Sequence, residues 1–436
     1  AFSIIYSITI AFIGCENIYI PNNAQDINVF AVFLSLAFLC NVYVLKGENN
    51  TGNIEWGYLP ITLLGFLFYS AINFCFSSNA DLSIYPAFKI LGAIFLTLAL
   101  TYFLQDVETL KKALLIVFIL AATHAVFGIW QQFVPALLHQ QSKFNSTSTS
   151  FFSNPNYFSG YLVIHIPLGF YLMSHAISNI KRLGLVGLWI MIWIALGFSG
   201  SPGGQLIAGL QVFAMILYSI YKKDYRNLKI LGWSLFIAFM AYFVLIKFII
   251  GVPLPGSEVI QDSLVRRNWT WGHLENRFMY WAGAWSIFKD HWLFGSGLWT
   301  FVELYPQTGL NYTPPHAHNA YLQTLAETGL VGFSFLMICL IVLFRNIGRI
   351  FRKASSEVVD LCFYLSVSLC GFLLHNAIEY NWLISNFIYV FVFLIISIEV
   401  LNRELQIKES LKLQQYLPKT VPVIIVIGIF AIYQYY

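Results

Sequence analysis

Two histidines and an asparagine, His316, His318 and Asn319, stand at the head of an apolar run, PPHAHNAYLQTLAETGLVG, from Pro314 to Gly332. The spacing predicts a helix. At about 100° per residue, His318, Leu322, Leu325, Gly329 and Gly332 fall on one stripe, with Gly329 about three turns below His318. Glycines on such a stripe let a neighbouring helix approach closely. The pattern therefore reads as a reactive group held at the top of a tightly packed helix. A helix start also offers free N–H groups and partial positive charge, which attract an anion and disfavour the imidazolium form. A neutral imidazole can act as a general base near neutral pH. For a histidine standing alone, capping or packing at a helix start is the commoner explanation. Here a second histidine, an adjacent asparagine and an arginine-rich stretch share its neighbourhood. A base beside an anion site suits transfer from a phosphate-activated donor to a hydroxyl.

Arg266, Arg267 and Arg277 are the natural anion partners, because a guanidinium fork grips phosphate oxygens in two-pronged fashion. Arg277 is the best single candidate, and lipid headgroup contact competes for the Arg266-Arg267 pair. His375 and Glu379 stand one turn apart near the end of another apolar run. Ionisable groups at that depth are costly and usually functional, although a hydrogen-bonded structural pair would look the same. His124 and His165 read as core histidines. There is no HExxH, no DxD-type acidic pair and no CxxC. Metal: none is therefore the expectation, and no cofactor is implied. The six cysteines all lie in or beside apolar runs and read as small buried hydrophobes.

The elements that must position these residues follow from composition. The chain has 436 residues, of which 58% are hydrophobic, 18% aromatic and only 10% charged, against about 25% charged in soluble domains. This implies an all-α polytopic membrane protein with about 12–13 transmembrane helices and a large outer-face loop. Apolar runs place the spans near 1–14, 29–45, 58–76, 86–105, 112–133, 156–178, 183–198, 204–221, 230–250, 318–344, 358–376, 383–402 and 420–436. The first run, Phe2 to Ile13, is short for a span of about 20 residues and no initiator methionine precedes it, so a few further N-terminal residues are expected. Seventeen of the 24 Lys and Arg residues fall in alternate loops, at 46, 111–112, 181–182, 222–229, 345–353 and 403–419. The positive-inside rule makes that side cytoplasmic. The remaining seven are assigned to the other side, four of them (Arg266, Arg267, Arg277 and Lys289) in one loop.

Three regions result: N-terminal transmembrane helices over 1–250, an outer loop over 251–317, and C-terminal transmembrane helices over 318–436. Within the loop, Phe278, Trp281, Trp285, Phe288 and Trp292 recur at three and four residues. They predict an amphipathic helix over Asn276 to Trp292 lying along the membrane interface. Gly295-Ser296-Gly297 reads as a turn and not as a phosphate-binding loop, since no strand precedes it. A second, Ser/Thr-rich outer loop over Gln140 to Ser153 ends in Asn154-Pro155-Asn156. The net charge of +4 sits in short inter-span loops, which excludes a nucleic-acid partner and leaves membrane lipids. No internal repeat is visible.

These residues resemble a known family. His318-Asn319, nine intervening residues, Gly329, two more and Gly332 are similar to the signature of bacterial O-antigen ligases. Their relatives include O-antigen polymerases and O-linked protein oligosaccharyltransferases. Gly128-Ile129-Trp130-Gln131-Gln132 resembles the family's GxxQ segment, and Phe152 to Leu162 its FxNPNxxAxYL segment. Arg277, Trp281 and Gly295-Ser296-Gly297 resemble its R…W…GxG segment. The resemblance runs from about residue 115 to 400. It implies a metal-independent membrane glycosyltransferase taking a glycan from undecaprenyl pyrophosphate at the periplasmic face of the bacterial inner membrane. His318 would be the base. Arg277, Arg266 and Arg267 would bind the donor pyrophosphate, and His316, Asn319, His375, Glu379 and Asn154 would contact acceptor or support the site. Gly329 and Gly332 would serve helix packing.

One departure stands out. Where relatives commonly carry Ser-Arg-Gly, this chain has Gly200-Ser201-Pro202-Gly203-Gly204-Gln205, without an arginine. Ligation to lipid A core is the first expectation for the acceptor, followed by polymerisation onto a glycan and transfer to a protein. From a different class, many spans with intramembrane histidines also fit a small-anion, bicarbonate-like transporter. Transporters place polar or broken helices near mid-membrane, often in inverted repeats, whereas the polar residues here cluster towards one face.

Overall fold

The computed structural model describes residues 56–134, 147–152, 154–251, 272–310 and 314–405. Within them the chain is all helical, with no strand. The helices are α1 (Tyr58–Ile72), α2 (Ala80–Phe103), α3 (Val107–Gln131), α4 (Pro155–Ser174), α5 (Asn179–Ser199), α6 (Pro202–Tyr221), α7 (Tyr225–Gly251), α8 (Gly272–Asp290), the single turn α9 (Phe301–Leu304), α10 (Ala320–Lys353), α11 (Ser356–Asn376) and α12 (Ser385–Arg403). Nine of these described helices, all but α4, α8 and α9, are long and apolar enough to cross a membrane. The chain is a multi-pass helical membrane protein. The expected spans at 1–14, 29–45 and 420–436, and Arg266 and Arg267, lie outside the described residues.

Helix starts are written in side chains. Asn79 Oδ1 accepts from the Asp81 and Leu82 N–H groups, Asp106 from Thr109, Asn154 from Asn156 and Ser178 from Lys181, each meeting a donor that the helix itself leaves unpaired. Pro155 and Pro202 occupy first-turn positions, where a missing N–H costs nothing.

α4 is the axle of the bundle. Only Asn156 and Leu172 in it are not buried, and it packs on α3, α5, α6 and α11. Basic residues gather at one end of the bundle. Lys111 bonds Glu357 across to α11 (2.6 Å), Lys222 pairs with Asp360 (3.0 Å), and Arg403 reaches the Leu104 carbonyl (3.3 Å). The histidines at the head of α10 lie at the opposite end. Lys89, within the expected span 86–105, lies inside α2, buried, with its ammonium 4.9 Å from the Trp299 ring.

The stripe expected from His318 to Gly332 does not form. His318 precedes the helix, and α10 is broken at Gly329, where φ is 65° and ψ −171°. An unbroken 34-residue helix would run roughly 50 Å, well beyond a hydrocarbon core of about 30 Å. The break lets the first nine residues tilt away from the span. Backbone groups freed by it are taken up by the loop over Trp292–Gly297. Leu330 N–H donates to the Trp292 carbonyl (2.8 Å) and Val331 N–H to Leu293 (3.1 Å). In return, Ser296 and Gly297 N–H groups donate to the Ala326 and Glu327 carbonyls (3.0 and 2.9 Å). Tyr69 on α1 donates to Thr328 and Phe294 carbonyls, both at 3.1 Å.

Gly329 and Gly295 form this crossing because neither tolerates a side chain. A Cβ on Gly329 would lie 2.4 Å from Gly295 N and Leu293 O, and one on Gly295, itself at φ 82°, would lie 2.2 Å from Glu327 O. The expected tight approach is real at Gly332, where a Cβ would meet Tyr69 at 2.6 Å.

The loop helix α8 packs Ala284 and Ile287, with Tyr280, against Phe301, Tyr305, Ala317 and Ala326. Phe278 and Trp285 on α8, and Trp292 just past its end, face outward, whereas Phe288 of the expected stripe packs inward on this cluster.

Gly329→Ala should cost several kcal/mol and leave little monodisperse protein in detergent. Gly187→Ala, where an added Cβ meets nothing within 4 Å, should be neutral or raise stability by about 0.5–1 kcal/mol. Thermal unfolding followed by size-exclusion elution compares the two.

Candidate active site

The head of α10 is a turn, Pro314 to Asn319, wedged between α4, α8 and the segment after α11. Asn319 is its N-cap: Oδ1 accepts from Tyr321 N (3.1 Å) and Leu322 N (3.0 Å). The Ala320 N–H donates to the Glu379 carbonyl (3.2 Å) and Gln323 N–H to the Asn319 carbonyl. All the donors of the first turn are thereby occupied. This overturns the expectation that the helix start presents free N–H groups to an anion.

The capping forces His318 into a left-handed backbone, φ 48°, an arrangement costing roughly 1 kcal/mol for a side-chain-bearing residue. In this pose His318 Nδ1, itself buried, lies 2.8 Å from Glu379 Oε1, while the side chain keeps 22% of its surface exposed. Tyr280 of α8 stacks on the ring, with centroids 5.8 Å apart. With Nδ1 turned to a carboxylate, Nε2 is the nitrogen left for a substrate proton. This is how an oriented histidine base is built.

Glu379 is 1% exposed and lies past the end of α11. Its second oxygen accepts from Asn156 Nδ2 (3.1 Å). Asn156 Oδ1 accepts from Ser201 Oγ (2.9 Å). Burial alone would raise this carboxyl, but His318 beside it, through charge and hydrogen bond, holds it well below the usual carboxylate range. It is a buried carboxylate kept ionised chiefly by His318.

His316 is 3% exposed. Its Nδ1 accepts the His318 N–H (3.3 Å) and lies 3.6 Å from Glu379 Oε1, and Nε2 meets the Tyr157 hydroxyl at 2.8 Å. The backbone contact makes Nε2 the protonated nitrogen, donating to Tyr157. Burial pushes the imidazole down to about 3; the His318 charge adds to this, Glu379 opposes it and Arg277 reinforces it. His316 is a neutral strut, shut off from an acceptor by its burial.

His375 hydrogen-bonds Asn381 Nδ2 (2.9 Å) and packs where a Cβ on Gly160 would lie. Arg277, partly exposed near the start of α8, is close enough for its charge to act on both His316 and His375. Asn154 caps α4, and it is Asn156, two residues on, that reaches the site through Glu379. Gln131 of the GxxQ segment accepts the Thr149 and Ser150 N–H groups and donates to the Ser150 carbonyl, so it anchors the loop leading into Asn154. Pro202, within the stretch expected to correspond to Ser-Arg-Gly, is an exposed residue in the first turn of α6.

Sequence reasoning missed Asn156, Tyr157, Ser201, Tyr280, Gln323 and Glu327. Gln323 and Glu327 had a readable signal: a carboxylate and an amide four residues apart inside an apolar run must face each other on a helix. Asn156 and Tyr157 were quoted in a motif without any indication of which asparagine turns inward. The sequence showed no metal-ligand spacing, yet the fold brings together three residues that could hold a cation. His316, His318 and Glu379 each offer one donor atom within 4.8 Å of the others, a meeting of the histidine turn with one distant segment that spacing rules do not show.

Fold and site together define a polytopic helical membrane protein with a carboxylate-held histidine beside an arginine. Residues 186–337, from α5 through the histidine turn and into the lower part of α10, match the family of the O-antigen ligases. The resemblance read from the motifs is thus borne out, and it supports glycan transfer by a membrane enzyme. No curated protein matches the chain.

His316 sets a pH dependence. Because its folded pKa lies below the ordinary value of about 6.5, the unfolded chain binds more protons in between, and stability rises with pH there. The contribution is complete above about pH 6.5 and is lost as the pH falls towards 3. Glu379, shifted down from an ordinary value of about 4.3, adds stability that is lost only below that value. Between pH 6.5 and 4.5 the thermal midpoint of the protein should therefore fall, and His316→Gln should flatten that slope. An unchanged slope would rule out a neutral buried His316.

Proposed function

We propose that the protein transfers a glycan from undecaprenyl pyrophosphate to an acceptor hydroxyl at the periplasmic face of a bacterial inner membrane, with O-antigen ligation to lipid A core as the leading case. The observation that carries this reading is the Glu379–His318 pair at 2.8 Å. It leaves one imidazole nitrogen for an acceptor, under Tyr280 of α8, in a site whose histidines feel the charge of Arg277.

In this reading His318 Nε2 takes the acceptor hydroxyl proton as the acceptor oxygen bonds to the anomeric carbon. The bond from that carbon to the phosphate oxygen breaks, and undecaprenyl pyrophosphate leaves with the electron pair. Glu379 stabilises the imidazolium as it forms, and Arg277 meets the charge growing on the pyrophosphate. The outward aromatics Phe278 and Trp285 of α8, with Trp292 just past its end, flank the polyprenyl tail. With no arginine in the stretch around Pro202, Arg277 carries more of the anion binding, and Arg266 and Arg267 are its proposed partners. Metal independence belongs to this proposal.

The converging donors of His316, His318 and Glu379 support a competing reading in which a divalent cation occupies the site and His318 is a ligand. Full activity after exhaustive chelation favours the base; loss restored by added Zn²⁺ favours the cation.

In a purified assay with lipid-linked donor, His318→Ala should lower kcat at least 10³-fold while elution from size exclusion is unchanged. Arg277→Ala should raise the donor KM about tenfold or more. Near-normal turnover by His318→Ala would remove the base assignment. For the acceptor, a deletion strain with uncapped lipid A core and accumulated lipid-linked glycan indicates ligation. Single-repeat capping indicates polymerisation, and loss of glycoprotein alone indicates transfer to protein.

A further inference from the structure

The most heavily bonded carboxylate next to the site is not the one that touches His318. Glu327 lies in the short first stretch of α10, two residues before the Gly329 break, and is fully buried. Four donors from three separate segments converge on it. Gln323 Nε2 donates at 2.9 Å and the Tyr380 hydroxyl at 3.0 Å. The backbone N–H groups of Trp299 and Phe301, from the glycine loop and α9, donate as well. Its own carbonyl accepts Gly297 N–H (2.9 Å).

Two of these contacts lead to the neighbours of site residues. Gln323, held by Glu327 through its nitrogen, accepts the Ala317 N–H through its oxygen at 2.8 Å. Ala317 stands between His316 and His318. Tyr380 directly follows Glu379. The carboxylate is therefore linked, on one side, to the turn that carries His318 and, on the other, to the segment that carries its partner. Two non-glycine residues in the left-handed region, His318 at φ 48° and Trp299 at φ 66°, lie on segments tied to it. Such conformations persist only where surrounding bonds over-determine them.

We infer that Glu327 is a positioning residue for the transfer reaction, setting the His318–Glu379 contact by holding the histidine turn, the glycine loop and the Tyr380 segment in register. This rests on the reading of His318 as the base. The requirement for a carboxylate is specific. A carboxylate has acceptor positions for all four donors, whereas an isosteric amide turns N–H groups against at least one of them.

Glu327→Gln should lower kcat about 10- to 100-fold, as expected when a catalytic group is displaced by a fraction of an ångström to an ångström. The donor KM should stay within about twofold, since Arg277 is not on these links. The acid limb of kcat/KM against pH should move, because the His318–Glu379 contact loosens. Glu327→Gln combined with Glu379→Gln should be scarcely slower than Glu379→Gln alone, because both act through one contact. Full-rate turnover by Glu327→Gln, or losses that multiply with an unmoved pH limb, would overturn the inference. If Glu327→Gln does not fold, Gln323→Ala cuts the link to Ala317 alone. It should show the same pH displacement with a smaller loss, and an unmoved limb there also overturns it. His318→Ala run alongside separates the two ideas. If that variant is dead and Glu327→Gln runs at full rate, only the role of Glu327 is removed; if that variant is active, the base reading is removed.

Discussion

A helix inside a bilayer cannot be broken unless another backbone takes up the hydrogen bonds it releases, because lipid offers no partner. In this protein that constraint is met by one crossing, Gly329 against Gly295. The loop after α8 trades N–H and carbonyl groups with both sides of the break. Only glycines fit, so the loop and the helix lock at a single register. The direction of the first nine residues of α10 follows from this, and so does the placement of the histidine turn at their head. α8 rides on the same stretch, with Ala284 and Ile287 against Ala317 and Ala326, and brings Arg277 and Tyr280 over the histidines.

Electrostatics inside the site follow from burial. Glu379 is ionised, His316 is neutral and His318 keeps part of its surface in contact with its surroundings. A buried carboxylate flanked by two histidines and bonded by Asn156 is a group whose charge is settled before any substrate arrives. Asn156 in turn is held by Ser201, so the stretch lacking the relatives' arginine still joins the site through its serine.

Much of the architecture was legible in the chain. The apolar runs, the loop helix and the concentration of histidines at one end depend on local pattern and periodicity, which sequence records directly. The motif glycines were legible as positions but not as conformations. A Gly-x-x-Gly step reads equally as close helix packing or as a break, and only the partner loop decides; Gly332 packs and Gly329 breaks. Asn319 and Asn154 were legible as helix starts, yet capping occupies them fully, and this removed the free helix terminus on which the anion argument first stood. The Glu379 contact with His318 spans 61 residues and two helices, a separation for which no local spacing rule exists. Tyr157, Ser201 and Tyr280 are of the same kind, each delivered by tertiary packing from an element with its own unremarkable pattern.

The left-handed backbone of His318 has a consequence for how such a site persists. At φ 48° glycine is the residue of least strain, so the fold as such is better served by glycine than by the side chain we propose as the base. On that proposal stability and activity pull this position in opposite directions. Selection for a sturdier protein, with no demand on turnover, would erase the proposed base first and leave the helices standing.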